Sequence, residues 1–342
     1  MRAVTLRGHG GPEVLKVETL PDPRPGPKEA LVRVKACGLN HLDVWVRKGL
    51  PNLELAHPHI PGADISGTVV EAGPGAGREW VGRDVVLQPG LSCGACPACA
   101  SGRDDMCPRY GILGEHRPGG CAELVAVPRE NLMPKPARIS HAEAACIPVV
   151  FLTAWHMLVA RAQVRPGESV VVMAAGSGVG SAAVQIAKLW GATVIAAAGS
   201  AGKLDRARKL GADHGIDYGT EDLGARIKEL TGGRGADVIA DSVGVAQWER
   251  MVRALAWGGR LVTCGATSGF DARTDLRHLF FRRLSLLGST MGSKGELHDV
   301  MRHVEAGKLK PVLDTVFPLE KVAEAHKRLE GREVFGKLVL EL

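Results

Sequence analysis

The stretch VVVMAAGSGVGSAAVQIAK, residues 170–188, decides the fold of this chain. β-branched residues lead into a glycine-rich turn, and a small-residue helical pattern opens directly after it. Glycines carry no Cβ, so such a turn lets a pyrophosphate approach the backbone N–H groups at the helix N-terminus. The match to G-x-G-x-x-G is imperfect, because Ala175 and Ser177 take positions where the strict pattern has glycine. The turn predicts dinucleotide binding by Gly176, Ser177, Gly178, Val179 and Gly180.

Strands and helices alternate on both sides of this turn. The predicted strands are 169–174, 192–197, 214–218, 236–241, 259–264 and 284–289. The predicted helices between them are 181–190, 202–210, 223–230 and 245–255. Repeated βα units of this spacing imply a parallel sheet with helices on both faces, and six strands is the count of a dinucleotide-binding fold.

The end of the second strand bears on the choice of nucleotide. Binding of NAD through its ribose hydroxyls calls for an acidic residue there, about 20 residues after the turn. The chain instead reads AAAGSAGK over residues 196–203, and its next carboxylate is Asp205. The small polar pair Gly199 and Ser200, followed by Lys203, suits a 2′-phosphate, so NADPH is favoured over NADH. A solvated first-turn lysine is the alternative interpretation of Lys203.

The flanking parts of the chain have other patterns. Residues 1 to about 135 carry short alternating segments, such as ALVRVKA at 30–36, separated by proline and glycine, which predicts a compact β-barrel. Residues 141–160 are long, apolar and mostly helical, interrupted by Pro148. The tail from about 293 predicts two short helices and a last strand at 337–341.

Four cysteines fall within fifteen residues, in SCGACPACASGRDDMCP at 92–108. Tetrahedral Zn²⁺ takes four thiolates, and this spacing leaves no open position, so the pattern predicts one structural zinc. An iron–sulfur cluster is less favoured, because its last gap in the ferredoxin run is three residues rather than seven. The predicted ligands are Cys93, Cys96, Cys99 and Cys107. Packing is the interpretation of the remaining cysteines, which are Cys37, Cys121, Cys146 and Cys264.

Composition limits the classes of function. The chain has 342 residues, which favours two domains. A net charge of +6 without a concentrated basic face, together with 4% aromatic residues, argues against nucleic-acid binding and suits small anionic ligands. The first residues lack an apolar signal core, and the one uncharged stretch near membrane length, 169–187, is rich in glycine and serine. We therefore expect a cytoplasmic protein that binds no membrane.

Assembled, the pattern resembles the medium-chain dehydrogenase/reductase superfamily, the zinc alcohol dehydrogenases and their quinone and enoyl reductase relatives. The resemblance covers nearly the whole chain and rests on ACGLNHLD at 36–43, PGADISG at 61–67, DSVG at 241–244, the cysteines and the glycine-rich turn. It implies an α/β protein that is a homodimer or homotetramer and acts on a small-molecule substrate. The implied domains are a GroES-like β-barrel catalytic domain at 1–135 with a zinc lobe at about 91–109, a Rossmann domain at 136–292, and a C-terminal segment at 293–342 that returns to the catalytic domain.

The chain departs from the alcohol dehydrogenases at the catalytic zinc. By resemblance, the three ligand positions fall at Asn40, Ala63 and near Val149, and the proton-relay hydroxyl falls at Leu42. Alcohol oxidation needs a Lewis acid that lowers the alcohol pKa. Hydride addition to a quinone or an activated C=C or C=O needs only hydrogen-bond polarisation and a later proton. The sequence therefore predicts an NAD(P)H-dependent reductase without catalytic zinc beside an intact structural zinc.

Two alternatives stay open at this point. One is a zinc-dependent alcohol dehydrogenase whose catalytic site is rebuilt from other ligands, because zinc accepts histidine and carboxylate readily. The other is a non-enzymatic NADPH-binding protein. The candidate ligands for a rebuilt site are Cys37, His41, His57, His59 and Asp64, with His57 and His59 expected in an exposed loop.

The resemblance also implies roles for individual residues. Asn40 should lie beside the nicotinamide and donate to a substrate carbonyl, while His41 is a candidate proton donor or a contact of the cofactor phosphate. Asp43 is included with the catalytic residues, with the ordering of its loop as the stronger expectation. Thr153 matches the contact to the nicotinamide ribose. The remaining predicted cofactor contacts are Tyr218, Asp241, Gly265 and Lys337, and structural ion pairs are the alternative for Asp43 and Lys337.

Overall fold

The computed structural model describes residues 1–51 and 53–342. It divides them into two compact units, one formed by Met1–Val149 with Ser293–Leu342 and the other by Val150–Gly292. The sequence boundary at 135 and 136 differs from this division, because residues 136–149 belong to the first unit. The C-terminal segment lies in the first unit, although it follows the second in the chain.

The second unit contains a six-stranded parallel sheet, with one strand for each of the six predicted segments. In spatial order the strands are His214–Asp217, Thr193–Ala198, Ser169–Val172, Ala236–Asp241, Leu255–Thr263 and Ser285–Gly288. The order reverses between the third and fourth strands, and ligands of such sheets bind at the carboxyl ends of the strands at this reversal. The strands Thr193–Ala198, Ser169–Val172 and Ala236–Asp241 are almost wholly buried. Apolar strands of this kind are expected in a parallel sheet that is covered on both faces.

Helices connect these strands. They are Gly178–Leu189, Ala201–Lys209, Leu223–Leu230, Trp248–Ala254 and Leu276–Phe281. One face of each longer helix is apolar, and residues such as Leu223, Ile227 and Met251 pack with Val171 and Ile239 of the sheet into one core.

The first unit contains a seven-stranded sheet and two strand pairs. The path of the sheet is Leu313–Pro318, Lys337–Glu341, Glu29–Gly38, Asp64–Ala72, Asp84–Leu87 and Leu132–Pro134, with Leu124–Pro128 also paired to Glu29–Gly38. The short pairs are Arg2–Thr5 with Lys16–Thr19, and Gly90–Leu91 with Gly111–Ile112. The last strand of the chain pairs antiparallel with Glu29–Gly38, so that Val339 lies opposite Gly38. The pairings within the described residues follow this open path rather than a closed ring.

The first unit also contains helices, two of which, His41–Lys48 and Pro97–Ala100, lie within residues 1–135. Its helices are His41–Lys48, Pro97–Ala100, His141–Ala144, Lys294–Glu305 and Val322–Glu330. Residues 1–135 were expected to be all-β, yet His41–Lys48 is helical and starts with Asp43 accepting a hydrogen bond from the backbone N–H of Asn40 at 2.7 Å. An Asn followed three residues later by an acidic residue is a helix-start signal.

Residues 141–161 form the apolar segment noted in the sequence. Its two α-helical parts are His141–Ala144 and Pro148–Trp155, and the second continues as a π-helical turn, His156–Arg161. By length and composition this segment is the one candidate membrane span among the described residues. Because 72% of its apolar window is buried inside the protein, it has the burial of a core helix.

Candidate active site

A buried lysine lies at the centre of the predicted catalytic positions. The side chain of Lys337 is 3% exposed, and its ammonium group donates three hydrogen bonds. The acceptors are the carbonyl oxygen of Leu39 at 2.6 Å, Asn40 Oδ1 at 2.6 Å and Asp64 Oδ2 at 2.8 Å. The pairing of Lys337–Glu341 with Glu29–Gly38 brings this lysine to residues almost 300 positions away in the chain. All three N–H bonds of the ammonium are thus used within the protein.

The carboxylate of Asp64 adjoins the three positions where the resemblance implies zinc ligands. Its side chain is fully buried, and its Oδ1 accepts from the backbone N–H of Val149 at 2.7 Å. Its Oδ2 accepts from Asn40 Nδ2 at 3.0 Å as well as from Lys337. Asp64, which directly follows Ala63, therefore binds Asn40 and the backbone of Val149 while it pairs with Lys337. Burial of two charges is sustained only when both are paired and hydrogen-bonded, as here.

Both the nitrogen and the oxygen of the Asn40 side-chain amide are hydrogen-bonded. Besides its bond to Asp64, its Nδ2 donates to the carbonyl oxygen of Gly38 at 3.4 Å, which is a long hydrogen bond. Lys337 forms an ion pair with Asp64, the kind of structural pair considered above as the alternative role of this lysine.

Asp43 connects two backbone segments of the site. Its Oδ2 accepts from the N–H of Asn40 and its Oδ1 accepts from the N–H of Gly62 at 3.1 Å. Burial raises the pKa of Asp43 to about 6, against the opposing effect of these donors and of Lys337. His41 begins the same helix, and burial, followed by the charges of Lys337 and Arg332, lowers the pKa of its imidazole. His41 is consequently neutral at pH 7.

Glycine is required just before Ala63. Gly62 has φ of +106°, and a Cβ there would come within 2.6 Å of Cys37 Sγ and 2.8 Å of Cys121 Sγ. These two thiols are fully buried with their sulfurs 3.7 Å apart. The backbone therefore passes tightly over two packed cysteines before it reaches Asp64.

The candidate ligands of a rebuilt catalytic zinc do not converge. His59 is buried, contrary to the exposed position expected from the sequence, and its Nε2 lies 2.9 Å from the carbonyl oxygen of Gly114. His57 is exposed, with its Nδ1 3.0 Å from the carbonyl oxygen of Leu6. Among residues 1–51 and 53–342, the one group of three or more His, Cys, Asp or Glu ligand atoms close enough for a metal is the four-cysteine cluster.

The four-cysteine cluster has the dimensions of a zinc site. Ligand sulfurs of Cys93, Cys96, Cys99 and Cys107 all lie within 4.8 Å of one another. Cys93 Sγ and Cys99 Sγ are 3.8 Å apart, and Cys96 Sγ and Cys99 Sγ are 3.5 Å apart. A tetrahedron with Zn–S bonds of about 2.3 Å has edges of roughly 3.8 Å. The donor set therefore fits a structural Zn²⁺, which would hold the lobe together.

The surroundings of the cluster shift the pKa values of its thiols in opposite directions. Against the backbone N–H of Cys99, burial and hydrogen bonds with the neighbouring thiols raise the pKa of Cys96 to about 11. Backbone N–H groups of Ala95 and Cys96, followed by the side chain of Arg109, lower the pKa of Cys93 to about 5. The lobe is tied to the C-terminal segment, because the N–H of Lys294 donates to Asp104 Oδ1 at 3.0 Å and Lys294 Nζ donates to Ser92 Oγ at 3.1 Å.

The glycine-rich turn has the local structure of a phosphate-binding turn. Ser177 caps the helix Gly178–Leu189 by accepting from the N–H of Gly180 at 3.0 Å. A Cβ on Gly180 would lie 2.2 Å from the carbonyl oxygen of Ala174, so this glycine permits close packing of helix on strand. Ala174 itself adopts a φ of +47°.

The expected nucleotide-selecting residues follow the second strand. A Cβ on Gly199 would lie 3.4 Å from the ring of Tyr218, so the two positions are in contact range. The helix Ala201–Lys209 begins directly after Ser200, and Lys203 lies in its first turn. The strand before them, Thr193–Ala198, contains no carboxylate.

Asp241 organises the turn at the end of the fourth strand. Its carboxylate accepts from the N–H groups of Val243 and Gly244 and from Thr263 Oγ1 at 3.0 Å, and burial raises its pKa. Thr263 Oγ1 also lies 3.1 Å from the carbonyl oxygen of Gly265. Thr153 is buried in the helix Pro148–Trp155 of the same unit.

Comparison with known proteins identifies the family. Residues 26–137 match the model of the alcohol dehydrogenase GroES-like domain, and residues 178–306 match that of zinc-binding dehydrogenases. A solved structure described as an NAD-dependent alcohol dehydrogenase is 55% identical over 100% of both chains, with a TM-score of 0.96. A crotonyl-CoA reductase of Streptomyces avermitilis is 32% identical over 95% of this chain and 82% of its own length. A quinone oxidoreductase of Pongo abelii is 29% identical over 100% of this chain and 98% of its own.

The chain belongs to the medium-chain dehydrogenase/reductase superfamily, and its α/β fold combines a GroES-like unit with a Rossmann unit. It is an NAD(P)-dependent oxidoreductase, so the non-enzymatic alternative falls away. The family and the four-cysteine cluster support a pyridine nucleotide and zinc as its cofactors.

Proposed function

We propose that this enzyme reduces a quinone or an activated C=C or C=O bond of a small molecule with NADPH, without a catalytic zinc. The observation that carries the proposal is the buried network of Lys337, Asp64 and Asn40. It includes Asn40, one of the three positions where the resemblance implies ligands of a catalytic zinc. Its Asp64 follows Ala63 in the chain and accepts a hydrogen bond from the N–H of Val149, which are the other two.

Electrostatics supports the absence of a metal there. Asp64 is the carboxylate that contacts both Asn40 and Val149, and its oxygens are already bound to Lys337, the Asn40 amide and the Val149 N–H. A divalent cation near Asn40 would face an ammonium group that is itself in hydrogen-bond contact with that amide, and like charges at such distances repel strongly in a buried site.

The chemistry then depends on hydrogen bonding and proton supply. When bound, the reduced nicotinamide supplies the hydride: a quinone, NADPH and one proton give a hydroquinone and NADP⁺. Asn40 polarises the acceptor carbonyl by exchanging its long bond to the Gly38 carbonyl oxygen for the substrate oxygen. His41 relays the proton, and it gains capacity as a donor as the pH falls toward its lowered pKa.

Other residues position these groups. Asp43 fixes Asn40 and Gly62 through their backbone N–H groups. Lys337 contributes positive charge beside Asn40 rather than a hydrogen bond to the cofactor, because its three N–H bonds are used. Thr153 orients the nicotinamide ribose.

The nucleotide is proposed to be NADPH, held by the glycine-rich turn and by a 2′-phosphate site. That site combines Gly199, Ser200 and Lys203 with the ring of Tyr218, while Asp241 and Gly265 shape the neighbouring turn. The absence of a carboxylate in the strand Thr193–Ala198 and the two residues after it supports this preference. We further propose a cytoplasmic homodimer or homotetramer.

A second candidate is an alcohol dehydrogenase that uses a catalytic zinc. Its support is the description of the solved structure that is 55% identical to this chain. The two functions differ in their response to metal, since alcohol oxidation depends on the Lewis acid.

An activity comparison tests the proposal. Purified enzyme is assayed with NADPH against a series of quinones and enones, and with NADP⁺ and NAD⁺ against primary and secondary alcohols, with and without added Zn²⁺. We expect reduction of quinones or enones that is unchanged by Zn²⁺. Alcohol oxidation that rises with added Zn²⁺, without quinone or enone reduction, would favour the second candidate instead.

A further inference from the structure

A basic cavity lies in the Rossmann unit away from the predicted cofactor residues. Its volume is about 760 Å³, which is within the range of small-molecule sites. Its cationic lining residues are Lys228, Arg253, Arg273, Arg277 and Arg282, and the facing carboxylates are Glu249 and Asp275. His278 also lines it.

Most of this positive charge is not neutralised by the protein. Arg277 is paired with Asp275, with Nη2 2.9 Å from Oδ2. Within the part of the chain that the structure describes, the side chains of Lys228, Arg253 and Arg273 form no ion pair or hydrogen bond. Like charges gathered around one concavity raise the local concentration of anions and are relieved when an anion binds.

Two buried nitrogen atoms at the cavity also lack partners. Arg282 Nε and His278 Nε2 are both inaccessible to solvent and have no hydrogen-bond partner among the described residues. The guanidinium of Arg282 is held in place over the ring of Trp257, 5.9 Å from its centre. An unpaired buried donor costs free energy, so a ligand oxygen would be a favourable partner for it.

Topology separates this cavity from the cofactor turn. Lys228 and Arg253 lie in the last turns of the helices Leu223–Leu230 and Trp248–Ala254, and each helix leads into a strand of the parallel sheet. Arg282 likewise precedes the strand Ser285–Gly288. These residues are therefore at the amino ends of the strands, whereas the glycine-rich turn is at the carboxyl end of Ser169–Val172.

A role limited to helix stability is the simpler explanation for two of these residues. A cation in the last turn of a helix interacts favourably with the helix dipole, by about 0.3–1 kcal/mol. That explanation covers Lys228 and Arg253 but neither Arg273, which lies in a loop, nor the unpaired Nε of Arg282.

We infer that this cavity is a second anion-binding site, which takes a small ligand bearing several phosphate-type charges. Guanidinium groups can donate two parallel hydrogen bonds to phosphate oxygens. Outside the Arg277–Asp275 pair the lining has four cations and one carboxylate, Glu249, and the excess of three positive charges suits a ligand with three or more negative charges. The site is independent of the proposed reaction and of the choice between NADPH and NADH.

Calorimetric titration with inorganic tripolyphosphate tests this inference. The full chain is first saturated with NADP⁺, so that the phosphate sites of the cofactor are occupied, and the titration is run at physiological ionic strength. We expect one tripolyphosphate per chain, and we expect Arg253→Glu to weaken binding by about tenfold or more, because a charge-assisted contact is replaced by repulsion.

Arg250→Glu is the matched control, because Arg250 lies on the same helix, outside the cavity lining, and makes the same change in net charge. Arg273→Glu, in the loop, is a second test that does not alter a helix end. Absence of tripolyphosphate binding to the wild type overturns the inference. Equal weakening by Arg253→Glu and Arg250→Glu also overturns it, since that result indicates a diffuse electrostatic effect rather than a site.

Discussion

Replacing Lys337 by methionine tests the buried network most severely. The substitution keeps the length of the side chain but removes the ammonium from Asp64, which is fully buried. Three hydrogen bonds are lost, leaving Leu39 O and Asn40 Oδ1 without this donor and a carboxylate without its counter-ion. Breaking a buried ion pair from one side costs about 3–5 kcal/mol, so we expect the free energy of unfolding of Lys337→Met to fall by that amount.

The assay is equilibrium urea unfolding at pH 7 on three variants. Lys337→Met should lose about 3–5 kcal/mol, and the double variant Lys337→Met/Asp64→Asn should lose less than the single one, because the unpaired charge is gone. Lys16→Met is the control, since Lys16 is an exposed strand residue, and it should change stability by under about 0.5 kcal/mol. A loss below about 1 kcal/mol for Lys337→Met, or a double variant no more stable than the single one, would refute the reasoning.

Three further predictions concern the zinc lobe, the nucleotide and pH. Cys107→Ser should abolish zinc binding, measured by elemental analysis, and lower the Tm, because one of four ligands is lost. Lys203→Ala should reduce the ratio of kcat/KM for NADPH over NADH by about tenfold, because a charge-assisted contact to the 2′-phosphate is lost. His326 is buried and its pKa is lowered to about 4 by burial and then by Arg47, so the unfolded chain binds a proton more readily. The contribution of His326 to the free energy of unfolding is therefore fully present above pH 6.5 and is lost as the pH falls to 4. The loss is up to about 3 kcal/mol. The free energy of unfolding of His326→Phe in urea should accordingly depend less on pH than that of the wild type.

Each of these has a matched control. Cys264→Ser lies outside the cluster and should retain zinc. Lys209→Ala, on the same helix as Lys203, should leave the nucleotide ratio unchanged. His298→Phe removes an exposed histidine and should preserve the pH dependence of the wild type. An unchanged nucleotide ratio in Lys203→Ala would argue that this lysine is only a solvated residue of the first helical turn.

The Rossmann unit was predictable because its signals are local. The strands Ser169–Val172, Thr193–Ala198 and Ala236–Asp241 are mostly apolar runs, and the turn at residues 174–180 is recognisable from its glycine and small-residue composition. The four-cysteine cluster was predictable for the same reason, since all ligands fall within fifteen residues of the chain.

The buried network of Lys337, Asp64 and Asn40 was only partly predictable from the sequence. The missing zinc ligands could be named from the segments around Asn40 and Ala63. What took their place could not, because the partner of Asp64 is Lys337, 273 residues further along the chain. Strand pairing between distant segments sets that contact, and neither periodicity nor motif spacing encodes it.

The helix His41–Lys48 was missed for a different reason. Its start signal, Asn40 with Asp43 three residues on, is present in the sequence, but the alternating segments on either side of it favour an all-β interpretation. The buried position of His59 was likewise missed, because a histidine flanked by Pro58 resembles an exposed turn until the carbonyl of Gly114 is placed beside it.

The zinc content of the purified enzyme tests the central claim most directly. Elemental analysis of the wild type, after dialysis against metal-free buffer, should give one zinc per chain, held by the four cysteines. Two zinc ions per chain in the wild type, one of them remaining in Cys107→Ser, would mean that a catalytic metal is bound despite the Lys337–Asp64 pair. That result would contradict the account of a reductase that works by hydrogen bonding alone.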